Sequence, residues 1–308
     1  MNYEGQICRA PMERASFMLP VMVGCSYNRC KFCNLFRHLK YRELPMEEIE
    51  NELKRVQVAG GKPKKIFLGD GNAFGLRTGH LLEILELIRT YFPECECVNM
   101  DATVTSILNK SDEELRLLYE MGVRHLYLGI ESGLDDVLLF MKKDHNLEQA
   151  YEAIGRLQKV GLIYDAHIMT GVAGKGRSME NAEALAHFLN STHPAHVVNF
   201  SMFLHKEVPL FEDVENGNYI PADELECICE ERHLIELLDE EMLYDGFHDF
   251  IQVRTRGKIP ADKEKMLAKL TKVVEEYKER EPIYAYVQGE CPDLEKCDGL
   301  KKVWDMRD

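Results

Sequence analysis

The 308-residue sequence predicts an α/β protein, a partial (β/α)6 TIM-like barrel followed by a C-terminal extension of helices and β structure. Six short β-rich segments alternate with longer amphipathic segments between residues 17 and 202, which is the pattern of parallel βαβ units. Glycine-rich segments follow four of these strands, at the carboxyl ends where barrel enzymes carry their chemistry. Because no dinucleotide-binding fingerprint follows the first strand, the pattern favours a barrel over a doubly wound sheet.

The predicted elements follow one another in a regular order. The six strands cover residues 17–23, 65–68, 97–103, 125–130, 163–170 and 195–202. The helices between them begin near Pro45, lie at 81–91 and 111–121, run from 134 to about 161 with a break near Asp144, and cover 178–189. Ser111 and Glu114 form the signature of a helix capping box.

The region after Pro209 has a different pattern, with helical stretches at about 222–240 and 262–280 that flank a β-like segment near 247–253. We therefore expect a barrel over residues 1–205, with a cysteine-rich loop at 24–38, and an extension over 206–308 that packs on it.

The composition excludes several classes of protein. With 45% hydrophobic and 30% charged residues, the chain is neither disordered nor collagen-like. It carries 38 Lys and Arg against 53 Asp and Glu, and the net charge of −15 argues against a general nucleic-acid binder. No apolar run approaches the ~20 residues of a membrane span, and the first residues do not form a secretory signal. Because ten cysteines occur without an export signal, we expect a cytoplasmic protein whose thiols bind a metal or pack.

Three of the cysteines lie close together directly after the first predicted strand. Cys25, Cys30 and Cys33 have the spacing C-x4-C-x2-C. Three thiolates on one loop can bind three irons of a cubane 4Fe–4S cluster, which leaves the fourth iron open to a small chelating molecule. The alternative is a closed zinc site in which His38 is the fourth ligand, in a non-catalytic binding module.

This loop, placed after the first strand of a part barrel, resembles that of the radical S-adenosylmethionine (radical SAM) superfamily. Four residues separate the first two cysteines here, where three are commonest in the superfamily. Phe32 occupies the position of an aromatic residue that usually lies along the adenine. The segment 68–73 resembles the superfamily's glycine-glycine-glutamate segment, which implies that Gly69, Asp70 and Gly71 hold the methionyl end of the cofactor.

The segment 128–133 is similar to the Gly-x-Glu-Ser-Gly run of the branch that includes oxygen-independent coproporphyrinogen III oxidase. This resemblance implies that Asp101 contacts the cofactor, that Glu131 contacts its ribose side and that Lys143 lies near its carboxylate. His167 stands where the coproporphyrinogen enzyme has an acid, so the chain departs from the pattern there.

The resemblance also implies the cofactors and the reaction. A 4Fe–4S cluster would receive one electron from a donor such as flavodoxin or ferredoxin and cleave S-adenosylmethionine to methionine and a 5′-deoxyadenosyl radical. That radical would abstract hydrogen from an unidentified small-molecule substrate. A tRNA-modifying radical enzyme is a further alternative, and the charge of −15 counts against it.

The remaining candidates have weaker patterns. The pairs Cys95/Cys97 and Cys227/Cys229 are expected to pack as small hydrophobic residues, whereas Cys291/Cys297 is a candidate for an auxiliary metal site. Arg254 and Arg256 alternate on a β-like run and therefore share one face. That face is either a site for a carboxylate substrate or a solvated surface.

Overall fold

The computed structural model describes Glu4 and residues 8–287. Cys291 and Cys297 lie outside the described residues, so their role as a metal site stays a prediction. The strands of the described residues are β1 (Phe17–Pro20), β2 (Met22–Val23), β3 (Arg42–Glu43), β4 (Lys65–Gly69), β5 (Cys97–Ala102), β6 (Val123–Glu131), β7 (Ile163–Thr170), β8 (His196–Ser201), β9 (Leu204–His205), β10 (Met242–His248), β11 (Val253–Ile259) and β12 (Tyr286–Val287). The α-helices are α1 (Met46–Val58), α2 (Thr78–Tyr91), α3 (Val104–Leu108), α4 (Asp112–Glu120), α5 (Asp135–Phe140), α6 (Leu147–Val160), α7 (Ser178–Thr192), α8 (Pro209–Glu215), α9 (Glu224–Leu237) and α10 (Lys263–Tyr277).

The main sheet has eight strands in the order β1-β4-β5-β6-β7-β8-β10-β11. Strands β1, β4, β5 and β6 pair in parallel along the chain, as do β8 and β10. Strand β11 returns antiparallel to β10. Helices connect the parallel strands, so the predicted α/β fold class with a part-barrel arrangement of strands is confirmed.

All six predicted strands are present, and the capping box of Ser111 and Glu114 begins helix α4 as expected. The predicted β-like segment at 247–253 is wrong as a single strand. Those residues contain the turn between β10 and β11, where Gln252 has a φ of 40°. The apolar residues around the turn belong to the ends of two strands of a hairpin, and a single-strand pattern cannot distinguish the two arrangements.

The chain forms two compact units: residues 1–129 with 148–165, and residues 130–147 with 166–308. In the first unit, the segment before β1 is part of the interior. Glu13 is buried, and its carboxylate accepts hydrogen bonds from Asn99 on β5 (2.7 Å), from the Tyr127 hydroxyl on β6 and from Ser16. Met18, Phe67 and Tyr127 pack together with Ala10 beside this network.

In the second unit, helix α9 packs on α7 and α10 and carries several buried carboxylates. Glu230 accepts hydrogen bonds from the Gly171 amide (2.8 Å) and from Asn181 (2.6 Å). Glu231 lies 2.9 Å from His248 at the end of β10, and both side chains are fully buried. The polar face of α9 therefore fixes the ends of β7 and β10 by charged and hydrogen-bonded contacts. No helix among the described residues is both long and apolar enough to cross a bilayer.

Candidate active site

The cysteine loop begins where strand β2 ends. Strands β2 and β3 form a short antiparallel ribbon on either side of the loop. Gly24 begins the loop with a φ of +79°, a conformation that glycine adopts without strain. Cys25, Cys30 and Cys33 form no disulfide and are partly buried, and the Cys33 amide donates to the Cys30 carbonyl at 3.3 Å. Phe32 lies partly buried in the turn between these two cysteines.

Arg37 holds the second half of this loop. Its Nε atom donates to the Cys33 carbonyl at 2.7 Å, and its second guanidinium nitrogen donates to the Cys30 carbonyl. The Asn28 side chain donates to the Phe36 carbonyl at 3.1 Å and so closes the loop on itself. One planar guanidinium therefore fixes the backbone at two of the three cysteines. No sequence motif indicates Arg37, because the pattern of the loop is defined by its cysteines and its aromatic residue.

The glycine turn after β4 packs against the start of the cysteine loop. The Gly69 carbonyl accepts a hydrogen bond from the Val21 amide at 2.6 Å. Gly71 has a φ of +61°, and a Cβ atom added there would lie 2.7 Å from the Gly24 carbonyl oxygen and 3.1 Å from the Cys25 Cα. Only glycine permits this approach. The structure thus brings together the two motifs that the sequence separates by more than forty residues.

Asn72 joins three parts of the site. Its side-chain amide lies 3.3 Å from the Ser26 hydroxyl on the cysteine loop and 3.1 Å from the Thr103 hydroxyl after β5. Its Oδ1 atom accepts from the Thr103 amide at 3.1 Å. No sequence motif assigns a role to Asn72, although an amide directly after a glycine turn at a strand end is a signal that could indicate one.

A buried carboxylate, Asp70, and a partly buried one, Asp101, lie in the same unit as the loop. Burial raises the pKa of Asp70 to about 6, partly offset by a hydrogen bond from the Cys8 backbone. Burial, the charge of Asp70 and that of Glu13 raise the pKa of Asp101 to about 8. The Asp70 Oδ1 atom has no hydrogen-bond partner among the described residues. Two like charges in a poorly solvated place favour a bound cation, such as an ammonium or a sulfonium.

Cys8 is a fourth thiol in the electrostatic environment of this site. Burial raises its pKa, and the charges of Asp101, Asp70, Cys33 and Cys25 raise it further. No motif points to Cys8, since it precedes the first strand and stands alone in the sequence.

The residues of this unit fit a 4Fe–4S cluster and S-adenosylmethionine. Among the described residues, no three His, Cys, Asp or Glu side chains gather around a single metal position. The thiolates of a cubane bind three different irons, so they need not converge on one point. His38 is exposed on the surface, and nothing in the described part of the chain supports the zinc alternative. The unpartnered Asp70 oxygen matches the methionyl ammonium that the sequence assigned to this turn.

Three predicted site residues belong to the second unit. The Lys143 Nζ atom lies 3.2 Å from Glu131 Oε1, and both side chains are largely buried. Glu131 has a φ of 65°, a strained conformation that often marks functional residues. Burial, His196 and Lys143 lower the pKa of His167 to about 4, so His167 is neutral at physiological pH. The structure pairs Glu131 with Lys143, and the roles of all three residues toward the cofactor stay predictions.

The fold and the site define an α/β enzyme with a three-cysteine loop at the end of its first strands. The family model of the radical SAM superfamily matches residues 19–189, more than half of the chain. The chain therefore belongs to the radical SAM superfamily. Enzymes of this superfamily use a 4Fe–4S cluster and S-adenosylmethionine, which confirms the predicted cofactors and the predicted enzyme class.

Two curated relatives show how far the similarity extends. The heme chaperone HemW of Bacillus subtilis is 21% identical over 232 residues, which cover 72% of this chain and 58% of HemW. The tRNA-2-methylthio-N(6)-dimethylallyladenosine synthase of Hahella chejuensis is 28% identical over 162 residues, which cover 49% of this chain and 36% of the synthase. The chain thus spans less than two thirds of either relative.

Solved structures share the fold. Methylornithine synthase (PylB) has a TM-score of 0.53 at 15% identity, over 94% of this chain and 81% of that structure. Coproporphyrinogen III oxidase (HemN) from Escherichia coli has a TM-score of 0.53 at 13% identity, over 72% of this chain and 52% of that structure. At these identities the likeness concerns the fold alone.

Proposed function

We propose that this enzyme cleaves S-adenosylmethionine reductively and uses the resulting radical to abstract hydrogen from a small organic substrate. The observation that carries the proposal is the packing of the glycine turn, residues 69–71, on the start of the cysteine loop. It is supported by the Asp70 oxygen that lacks a partner within the described chain. A loop that leaves one iron open and a turn that binds a methionyl group need to be neighbours for this reaction.

The protein's own residues would bind the cluster and orient the cofactor. Cys25, Cys30 and Cys33 would hold three irons of the cluster, and Arg37 fixes the backbone of the last two cysteines. Asp70, with the backbone of the glycine turn, would hold the ammonium of the methionyl end. When bound and reduced, the cluster with its cofactor supplies the electron that gives methionine and a 5′-deoxyadenosyl radical, which takes a hydrogen atom from the substrate.

Other assignments extend the proposal. Asp101 would face the cationic part of the cofactor, because it is partly buried and its pKa is raised by the charge of a second carboxylate, Asp70. Phe32 would lie along the adenine, and Glu131, Lys143 and His167 would contact the remaining parts of the cofactor, as the family resemblance implies. A one-electron donor such as flavodoxin or ferredoxin would reduce the cluster.

A small-molecule substrate is favoured over tRNA. Four relatives act on tRNA according to their names, but the similarity covers at most 36% of any of those proteins. The net charge of −15 opposes binding of a phosphate backbone. We therefore assign the substrate to the small-molecule class.

The experiment is anaerobic reconstitution with iron and sulfide, reduction with dithionite, and chromatographic detection of 5′-deoxyadenosine over several hours. We expect slow formation of 5′-deoxyadenosine and methionine that depends on the reductant. A protein that carries a full 4Fe–4S cluster and still gives no product would contradict the proposal.

Matched cysteine variants locate the cluster. Cys30→Ala should abolish the cluster and the product together, because two thiolates do not retain a cubane with an open corner. Cys95→Ala and Cys227→Ala should retain both, since the Cys95 thiol donates to the Cys97 carbonyl at 3.4 Å and Cys227 is buried on α9. Loss of the cluster in Cys95→Ala but not in Cys30→Ala would reverse the assignment.

A further inference from the structure

A row of aromatic and cationic side chains crosses four strands of the second unit. The His167 and Phe200 rings meet edge to face with centroids 5.9 Å apart. The Phe200 and Phe247 rings are parallel within 16°, with centroids 5.5 Å apart. The Arg254 guanidinium lies 4.4 Å from the centre of the Phe247 ring. We call these four residues the aromatic row.

The strand register explains why these side chains share one face. Phe247 on β10 is opposite Phe200 on β8 and opposite Arg254 on β11. Asp245 is opposite Arg256, two residues further along the same two strands. Because side chains two residues apart project from the same side of a strand, both pairs belong to one surface. Phe200 and Phe247 are the penultimate residues of β8 and β10. They therefore lie near the carboxyl ends of the strands, where barrel enzymes bind substrates.

Positive charge exceeds negative charge beside the row. Asp245 is buried, and its carboxylate lies 3.0 Å from Arg254 and 3.4 Å from Arg256. Two guanidiniums thus share one carboxylate. The side chain of Arg256 is 68% exposed, so most of its donors face solvent. The Nε atom of Arg254 is buried and has no hydrogen-bond partner in the described part of the chain.

We infer that this face binds the substrate, and that the substrate is a carboxylic acid carrying a flat, unsaturated or aromatic ring system. The inference rests on the proposed function and names its substrate class. Flat apolar rings pack favourably on phenylalanine side chains. A guanidinium binds a carboxylate through two parallel hydrogen bonds, and the excess charge beside Asp245 favours an anion.

A solvated ion-pair surface would not account for this arrangement. A surface arginine gains little from a single ion pair, yet both arginines here are drawn to one buried carboxylate. The partly buried rings of Phe200 and Phe247 expose apolar edges beside these cations. Ligand sites are usually lined by apolar and aromatic side chains, with a few polar or charged groups that orient the ligand.

The test is isothermal titration of the reconstituted full-length protein, in the presence of S-adenosylmethionine, with three probes. The first is 2-naphthoate, which has a flat ring system and a carboxylate. The second is 2-naphthamide, which lacks the charge, and the third is cyclohexanecarboxylate, which lacks the flat rings. We expect saturable binding of 2-naphthoate, at least about tenfold tighter than binding of either other probe. Each of the other probes lacks one contact, either the charge-assisted hydrogen bond or the ring packing, and the loss of one such contact weakens binding by about this factor.

Three variants locate the binding. Arg254→Gln and Phe247→Leu should each weaken 2-naphthoate binding about tenfold or more. The matched control is Arg280→Gln, because the Arg280 guanidinium also lies over a ring, 4.1 Å from that of Tyr277, and pairs with Glu276 at 3.0 Å on an exposed surface. Arg280→Gln should leave the affinity unchanged.

Equal binding of the amide and the carboxylate, equal effects of Arg254→Gln and Arg280→Gln, or no saturable binding at millimolar probe would overturn the inference. The titration measures occupancy and not turnover. A protein that binds 2-naphthoate as expected but forms no 5′-deoxyadenosine would refute the proposed reaction alone. A protein that forms 5′-deoxyadenosine but fails the titration would refute the substrate class alone.

Discussion

Gly71 approaches Gly24 so closely that a Cβ atom added to Gly71 would lie 2.7 Å from the Gly24 carbonyl oxygen, and no side chain fits between the glycine turn and the cysteine loop. Gly71 follows β4 and Gly24 follows β2, and both residues have positive φ angles. The contact ties the position of the proposed methionyl site to that of the proposed cluster ligands. A change in this contact should therefore affect both sites.

Gly71→Ala should reduce cluster incorporation and affinity for S-adenosylmethionine together. The positive φ alone costs roughly 1–3 kcal/mol for alanine, and the methyl group would lie 2.7 Å from a backbone oxygen that cannot rotate away. Iron and sulfide content and equilibrium binding of the cofactor measure the two effects. The control is Gly79→Ala in helix α2, where an added Cβ meets no atom within 4 Å. Equal behaviour of the two variants would argue against the tight contact.

Arg37→Gln should weaken retention of the cluster while leaving the unit folded. The variant removes the charged donor that fixes the carbonyls of Cys30 and Cys33, and a hydrogen bond from a charged group is worth roughly 1.5–3 kcal/mol. Arg37→Lys should retain the cluster better than Arg37→Gln but less well than the unchanged protein, because lysine keeps the charge but not the planar guanidinium. The loss of visible absorbance in air, followed over time, should be several-fold faster in Arg37→Gln. An unchanged rate would remove Arg37 from the site.

Asp70→Asn should weaken binding of S-adenosylmethionine about tenfold, as loss of a charge-assisted contact to an ammonium would. The cluster should remain, because Asp70 is not among the proposed ligands. S-adenosyl-2-oxo-4-methylthiobutyrate, which has no methionyl amine, should bind both proteins equally. If the variant loses affinity for both compounds alike, Asp70 does not contact the ammonium.

Replacement of His248 should have a pH-dependent effect on stability. Burial lowers the pKa of His248, but the Glu231 carboxylate at 2.9 Å, together with the charges of Glu224 and Glu230, outweighs burial, and the pKa is raised above its ordinary value of 6.5. The charged pair therefore contributes fully below pH 6.5, and its contribution is lost as the pH rises through the folded-state pKa. His248→Gln should cost roughly 3 kcal/mol of unfolding free energy at pH 6 and measurably less at pH 9. Urea unfolding at both pH values tests this, with the exposed His187→Gln as the control. A cost that grows with pH would contradict the pairing.

Lys143→Met should destabilise the second unit, because it leaves the buried Glu131 carboxylate without its cation. Loss of one partner of a buried pair costs roughly 3–5 kcal/mol. The double variant Lys143→Met with Glu131→Gln should recover part of this loss, since the unpaired charge is then gone. Chemical unfolding of the single and double variants gives the coupling energy. Additive effects would mean that the two residues do not act as a pair.

The strand order was predictable because apolar runs and glycine turns alternate in phase. Strand β7 matches its predicted range from Ile163 to Thr170, and β5 and β8 differ from theirs by one or two residues. The triplet of cysteines and the glycine turn were also recognisable, since both depend on local sequence. The hairpin of β10 and β11 was not, because two of the four residues in its turn, Phe250 and Ile251, are apolar and resemble the interior of a strand.

The sequence could not predict contacts between side chains that are far apart along the chain. Asn72 reaches Thr103 across 31 positions, and the Glu13 carboxylate reaches Tyr127 across 114. Arg254 and Arg256 were expected to share a face, and they do, but Asp245, which holds both, was not identified. Pairing of this kind is set by strand register, which a periodic pattern does not specify across a sheet.

Because Glu13 is buried, it limits how far the protein can be shortened before its first strand. The match to the superfamily begins at residue 19, and a truncation guided by that boundary would delete the acceptor of the Tyr127 hydroxyl and of the Asn99 amide. Both donors would then lose the acceptor that Glu13 provides inside the unit, at roughly 1–3 kcal/mol for each. The first unit of such a shortened protein would therefore be destabilised from its interior, although the deleted residues lie outside the superfamily match.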